Sequence, residues 1–327
     1  MESAHQHRSR RRFVSTRSYA ILGTGAIGGF YGAKLQKAGV DVHFLLRSDY
    51  EFARDNGLQV ESVQGDFTLP EVNAYRSVNE MPRCDVAIVA LKTTQNHLLP
   101  DLIPPVLKDD GVVLVLQNGL GIEDEVARIV GVDRVLGGLC FICSHKVGPG
   151  RIRHLDYGNI SIAEYKIEYA SGGVTPRMHD IATDFETAGI TIRLEPDLLL
   201  ARWKKLVWNI PYNGLSVVLN AQTDELMQNA HTQRLVKQVM LEVTAAAAAY
   251  GRDIPATFVQ KMLDDTAKMT PYSTSMKLDY DGGRSLEVEA IFGNTIRAAI
   301  DAGVAMPQVD MLYRQLKFLD RKGQSTV

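Results

Sequence analysis

The chain has 327 residues, 45% of them hydrophobic and 23% charged, with a formal net charge of −2. That length admits two domains with a sizeable core, and the near-neutral balance gives no long-range attraction for nucleic acid or an anionic membrane. No apolar run reaches the ~18 residues of a membrane span and the N-terminus lacks the apolar core of a secretory signal, so a cytoplasmic protein with a small-molecule partner is expected.

Residues 1–16 carry Arg8, Arg10, Arg11 and Arg12 with no acid after Glu2. They read as a disordered basic lead-in rather than a targeting or polyanion-binding segment. Three cysteines cannot build a disulfide framework, and Cys140-x-x-Cys143 lacks both a second pair for zinc and the strand-to-helix context of a redox motif. All three are read as core or bystander thiols, and no metal site is expected.

Ala20-Ile-Leu-Gly-Thr-Gly-Ala-Ile-Gly-Gly-Phe30 reads as a buried strand turning through glycines into a helix over residues 26–38, which Gly39 stops. Gly23, Gly25 and Gly28 fit G-x-G-x-x-G: the first for a tight turn, the second for close approach of a pyrophosphate, the third for helix–strand packing. The turn from Gly23 through Thr24, Gly25, Ala26 and Ile27 would then face the phosphates with free N–H groups at the positive end of the helix. Structural turns also carry such glycines; the strand before and the helix and strand (residues 40–46) after favour a dinucleotide.

Just past that second strand stands Arg47, with no acid until Asp49. An acid there would bind the ribose 2′-OH of NAD, whereas an Arg can hold the 2′-phosphate of NADP, so NADP(H) is the expected cofactor. A solvated charge after a strand would look the same. Residues 58–69 alternate about Gln64-Gly65 and predict an inserted hairpin. Asp85–Leu91 and Gly111–Leu116 are buried strands of the parallel-sheet kind, which places Lys92, and Asn118 in Gln117-Asn118-Gly119, at the carboxyl edge where ligands gather. Further strands are expected over 134–140 and 160–164 with turns at Gly148-Pro149-Gly150 and Asp156-Tyr157-Gly158, then a helix over 175–188 and a last strand over 190–194.

From Pro196 strand-like runs disappear. The predicted organisation is a Rossmann-type, doubly wound α/β domain over residues 17–195, with its boundary near Glu195, and an all-α domain over 196–327. In the apolar helix 198–219, Lys205, Asn209 and Asn213 recur every four residues and so share one face. Buried polar groups without partners cost about 1–3 kcal/mol each, which points the stripe at a cleft; a polar rim facing water is the alternative. Residues 235–250, with Ala245–Ala249, read as a tightly packed interior helix, and residues 286–290 open a further helix.

Together these residues resemble the ketopantoate reductase family over about Ser18 to Leu319. The resemblance rests on Gly23-x-Gly-x-x-Gly28, Leu91-Lys92, Gln117-Asn118-Gly119, Trp203-Lys-Lys-Leu206 with Asn209 and Asn213, Ser275-Met276, and Glu287-Val-Glu289 after Gly283-Arg284. It implies NADPH-dependent reduction of 2-dehydropantoate, a 2-oxo acid, in a cleft between the two domains. It implies that Lys205 is the catalytic acid and that Glu287 binds and orients substrate, holding a substrate hydroxyl. Lys92 and Asn118 would lie near cofactor and substrate, Asn209, Asn213 and Ser275 would contact the substrate, and Arg47 would hold the 2′-phosphate. Homodimerisation is the one protein association considered. The family's Ile-Asp-Tyr after the glutamate is here Val288-Glu289-Ala290, and a substrate-contacting Asn falls on Thr223. The chemistry stands with these departures and 2-dehydropantoate remains the expected substrate; a pocket opened to a larger or less polar 2-oxo acid is the alternative they raise.

Overall fold

The computed structural model describes residues 15–324; the basic stretch Arg8 to Arg12 lies outside them. A β-α-β unit of β1 (Ser18–Leu22), α1 (Ala26–Lys37) and β2 (Asp41–Leu45) comes first. It is followed by α2 (Tyr50–Asn56), β3 (Leu58–Ser62), β4 (Phe67–Leu69), β5 (Asn73–Tyr75), β6 (Cys84–Val89), α3 (Leu99–Val106), β7 (Leu107–Val115) and α4 (Ile122–Val130). Then come β8 (Val135–Gly148), β9 (Arg151–Glu164), α5 (Pro176–Thr187) and β10 (Ile192–Leu194).

All strands join one 10-stranded sheet, ordered β4-β3-β9-β8-β7-β6-β1-β2-β5 with β10 beside β9. The run β5-β2-β1-β6-β7-β8 is parallel and has the strand order of a doubly wound dinucleotide fold. Alternation along β1 sends Tyr19 and Ile21 to one face, with α1 and α5, and Ala20 and Leu22 to the other, with α3, α4 and the C-terminal helices. Leu22, Leu45, Val89 and Val115 are in register. Gly23, Leu46, Ala90 and Leu116 therefore leave the sheet along one edge, and the site is built on that edge.

One expectation is met and one changes. The hairpin at Gln64-Gly65 forms, with Leu58 opposite Leu69, and β3 also pairs with β9, so the insertion extends the far end of the sheet. The turn expected at Asp156-Tyr157-Gly158 is a bulge inside a strand: β8 and β9 each run 14 residues as one long hairpin. Register slips between Phe141 and Ile142, where Ile142 meets Tyr157. Tyr157 (φ 60°) and Gly158 (φ 115°) absorb the extra residue in the left-handed region. His154 Nε2 lies 3.0 and 3.1 Å from the carbonyl oxygens of Asp156 and Tyr157, which holds the bulge.

After Leu194 the described elements are helical: α6 (Leu198–Val218), α7 (Thr223–Gln228), α8 (Ala230–Ala249), α9 (Ala256–Lys268), α10 (Ser275–Asp281), α11 (Asn294–Asp301) and α12 (Pro307–Gln324). A π turn, Glu289–Gly293, leads into α11. None of the described helices is long and apolar enough to cross a membrane. The alanine run of α8 is not interior: Ala246 and Ala247 are buried, whereas Ala245, Ala248 and Ala249 are exposed. Its buried stripe, Val236, Val239, Met240, Val243, Ala247, has the spacing of an amphipathic surface helix.

Helix α6 is capped by Asp197, whose carboxylate accepts from Leu200 N at 2.8 Å. Trp203, Leu206 and Ile210 bury the helix in a core shared with the sheet. Arg202, one turn before Lys205, is 1% exposed and pairs with Glu123 of α4, itself 0% exposed. Its Nε donates to Glu123 Oε1 at 2.9 Å and its Nη1 to the Gln117 carbonyl at 2.7 Å, while Tyr169 Oη donates to Glu123 Oε2 at 2.7 Å. Breaking such a buried pair from one side costs about 3–5 kcal/mol, because the remaining charge is stranded.

Candidate active site

The glycine turn between β1 and α1 is shaped by three different constraints. Gly23 has φ +104°, and a Cβ there would lie 2.5 Å from Leu91 N, so the turn must pass hard against the chain leaving β6. A Cβ on Gly28 would lie 2.3 Å from the Gly23 carbonyl oxygen. A Cβ on Gly25 would meet no atom within 4 Å; that glycine faces open space, as a position left clear for a ligand should. Helix α1 begins at Ala26 with no side-chain cap and no acid in its first turn. Its first N–H groups are thus left for an anion. Thr24 Oγ1 donates to the Leu45 carbonyl at 2.9 Å and ties the turn to the end of β2. Gly23, Thr24, Gly25, Ala26 and Ile27 line one end of a cavity of about 980 Å³; Gly28 packs behind it.

Arg47 is exposed and lines the same end, and its guanidinium has no hydrogen bond or ion pair among the described residues. Asp49, the nearest acid, does not compete for it. It is buried and accepts from Gly150 N at 2.9 Å and Ser48 Oγ at 3.0 Å, and it pairs with Lys146. Burial pushes its carboxyl up, and the bonds from Lys146 and Gly150 outweigh that and leave it below its ordinary value.

Along the cavity from this cradle lie Lys92, Asn118, Lys205, Asn209, Asn213 and Ser275. The stripe on α6 thus faces the cleft. Lys205 Nζ donates to the Cys140 carbonyl on β8 and sits 5.0 Å from the centre of the Phe141 ring. Burial lowers its ammonium to about 8, and Arg202 one turn away pushes in the same direction. Asn209 Nδ2 lies 3.5 Å from Asn118 Oδ1, which joins the helical side of the cleft to the sheet edge. Asn213 Oδ1 accepts from Met276 N at 3.4 Å and anchors the start of α10 beside Ser275.

Glu287 is placed differently from expectation. It is 6% exposed and does not form part of the cavity wall. Oε1 accepts from Thr93 N at 2.9 Å and Thr93 Oγ1 at 3.0 Å, and Oε2 accepts from Lys92 Nζ at 3.3 Å. Lys92 also pairs with Asp279 at 2.7 Å. Burial would lower the Lys92 ammonium, but Glu287 and Asp279 hold it above its ordinary value. Thr223 and Ala290 are also off the wall. Thr223 is fully buried, and its Oγ1 accepts from Tyr272 N at 3.2 Å. Ala290 packs on the Gly119 turn, where its carbonyl takes Leu120 N at 2.9 Å. Neither substitution opens the pocket.

Further residues shape the site. Cys140 and Cys143 are buried thiols, as expected, and they also line the cavity; burial pushes both thiols up, to about 11 and about 12. Asp279 clamps Lys92, and Phe258, Met262 and Thr266 of α9 close the far wall. The signal for Arg202 was present: an Arg three residues before Lys205 in an apolar helix needs a buried acid.

Comparison with known proteins agrees with this architecture. Family profiles described as "Ketopantoate reductase PanE/ApbA" and its C-terminal counterpart match residues 19–166 and 197–320. A 2-dehydropantoate 2-reductase from Nostoc sp. is 64% identical over 317 residues, covering 96% of this chain and 99% of its own. A crystal structure of 2-dehydropantoate 2-reductase from Geobacter metallireducens superposes with TM-score 0.89 at 42% identity, covering 92% and 99% of the two chains. One from Methylococcus capsulatus gives 0.84 at 34%, covering 94% and 98%.

The glycines separate folding from binding. Gly23→Ala should lower the midpoint of thermal unfolding by several degrees, as about 1 kcal/mol or more of strain does. Gly25→Ala should leave it within a degree and weaken dinucleotide binding by about tenfold or more. Differential scanning fluorimetry and fluorescence titration measure the two quantities, and equal effects of both variants on unfolding would refute the distinction.

Proposed function

This chain belongs to the ketopantoate reductase family, and we propose that it reduces 2-dehydropantoate to pantoate with NADPH. The observation that carries this reading is Lys205: a buried ammonium lowered to about 8, held in the same cavity as an open glycine cradle. When bound, NADPH supplies a hydride from C4 of its nicotinamide to the 2-oxo carbon. Ala26 and Ile27 would hold the pyrophosphate with their N–H groups, Gly25, whose own N–H donates to the Gly23 carbonyl at 2.8 Å, leaves the space for it, and the unpaired guanidinium of Arg47 would hold the 2′-phosphate.

Lys205 polarises the substrate carbonyl and gives its proton to the forming alkoxide. The Cys140 carbonyl orients its ammonium. Asn209, Asn213 and Ser275 bind the carboxylate end, and Asn118 and Lys92 stand between cofactor and substrate. Glu287 fixes Lys92 and Thr93; Oε1 takes two donors and Oε2 one, so the remaining lone pair of Oε2 is the one left to accept a substrate hydroxyl. The division of the chain near Glu195 belongs to the same proposal, supported by β10 ending at Leu194 and α6 starting at Leu198.

A second reading, a reductase of the same build for another 2-oxo acid, is favoured by the three protein donors that Glu287 already holds. A buried carboxylate with no other partner would reject a substrate lacking the hydroxyl by ~10⁴; one that keeps three donors loses less. Ketopantoate and its deoxy analogue 2-oxo-3,3-dimethylbutanoate separate the readings. A large excess of kcat/KM for ketopantoate, reduced in Glu287→Gln, supports the first, and equal values support the second.

Cofactor choice is tested with Arg47→Ala, which should raise KM for NADPH about tenfold and leave KM for NADH nearly unchanged; a wild-type preference for NADH would overturn it. The proton donor is tested by pH. Lys205 must be protonated to act, so kcat/KM for reduction should fall as pH rises through about 8. Lys205→Ala should lower kcat by about 10²–10⁴, retain NADPH binding, and lose that limb of the profile.

A further inference from the structure

The cavity does not end at Lys205. On β8, β9 and β10, Leu139 pairs with Ser161 and Ser161 with Arg193, so these three side chains stand in a row on one face of the sheet. Opposite them runs the α6 stripe Ala201, Lys204, Lys205, Trp208, spaced i, i+3, i+4, i+7. All seven residues line the cavity, with Asn159 and Glu195 beside them. Arg193 is exposed and Lys204 half-buried, so this limb opens to solvent at a second basic end, away from the glycine cradle.

The ion pairs along the wall single these two out. Arg76 pairs with Glu51, Lys92 with Asp279 and Glu287, Lys146 with Asp49, and Lys261 with Asp265. Lys205 is held by a carbonyl. Among the cavity's cations, Arg47, Arg193 and Lys204 have no hydrogen-bond or ion-pair partner in the described residues, and Arg47 lies at the nucleotide end. Glu195, the one acid in the second limb, takes the Ser161 hydroxyl at 3.2 Å and is not within ion-pair reach of either cation. Two unpaired cations lining the same cavity as Lys205 raise the local concentration of an anion and turn its charged end toward them.

We propose that Arg193 and Lys204 form an electropositive vestibule that captures the carboxylate of the anionic 2-oxo acid and delivers it to Lys205 while the nucleotide fills the other limb. This assignment of a substrate subsite rests on the reductase reading given above. It makes Arg193 and Lys204 substrate-binding residues and leaves the proton transfer to Lys205.

The test is an Arg193→Gln/Lys204→Gln double variant of the full chain, with Arg234→Gln/Lys237→Gln, two exposed charges on α8, as the control for net charge. The double variant should raise KM for the 2-oxo acid ~10-fold while kcat changes much less and the Kd for NADPH stays at the wild-type value. KM of the wild type should climb with added salt, and that climb should flatten in the variant. Oxamate, an unreactive anion of the same shape, titrated calorimetrically into the NADPH-loaded protein, should lose affinity by a similar factor. Wild-type KM, salt response and oxamate affinity in the double variant would overturn the vestibule. Loss of oxamate affinity in a protein that turns over no 2-oxo acid would uphold the vestibule and reject the reductase reading. A double variant that fails to bind NADPH is replaced by the Lys204→Gln single variant, for which a smaller shift of the same kind is required.

Discussion

The buried pair of Arg202 and Glu123 is the constraint from which the rest of the cleft follows. A guanidinium and a carboxylate without solvent are tolerable only when each remaining donor and acceptor is met. Here Gln117 and Tyr169 complete the set. The consequence is positional. Glu123 opens α4, Gln117 ends β7, and Arg202 lies on α6, so satisfying one charge fixes the helical part against the sheet edge where the glycine turn also sits. Three residues on, the same helix delivers Lys205 to the cavity, with Asn209 and Asn213 behind it.

That fixed charge also sets the chemistry available to Lys205. A lysine in water keeps its proton too tightly to be an efficient acid near neutral pH. Burial takes away the water that stabilises the ammonium, and Arg202 adds repulsion. Lys92 shows the opposite treatment in the same cleft, since Asp279 and Glu287 stabilise its charge. Two lysines of ordinary intrinsic acidity are thereby driven apart, one toward proton transfer and one toward a permanent positive charge.

Local patterns made much of this legible. The glycine turn was readable because each glycine answers a separate steric demand within a dozen residues, and the α6 stripe because helical spacing alone puts residues 205, 209 and 213 on one face. What stayed hidden depends on distant pairing. Glu287 is held by Thr93 and Lys92 from the other end of the chain, and no spacing rule joins residues almost two hundred positions apart. Tyr157-Gly158 has the composition of a turn, yet cross-strand bonds from β8 carry the strand through it as a bulge. The alanines of α8 suggested close packing, whereas their burial follows the helix face and leaves three of them in solvent. Thr223 and Ala290 stand behind the cavity wall, Thr223 holding the Tyr272 backbone and Ala290 packing on the Gly119 turn, so they meet the site through residues that no local pattern joins to them.

The group that orients Lys205 is a main-chain carbonyl, that of Cys140, rather than a side chain. No substitution at position 140 can remove it, so the anchor is insulated from point mutation in a way that a carboxylate or an amide would not be. It is instead sensitive to alignment: the carbonyl lies just before the step at Phe141 and Ile142 where β8 and β9 change register. An inserted or deleted residue in this hairpin, distant from Lys205 in sequence, would rotate the carbonyl away and leave the lysine chemically intact but aimed elsewhere. Tolerance to replacement and intolerance to insertion are thus two faces of one hydrogen bond.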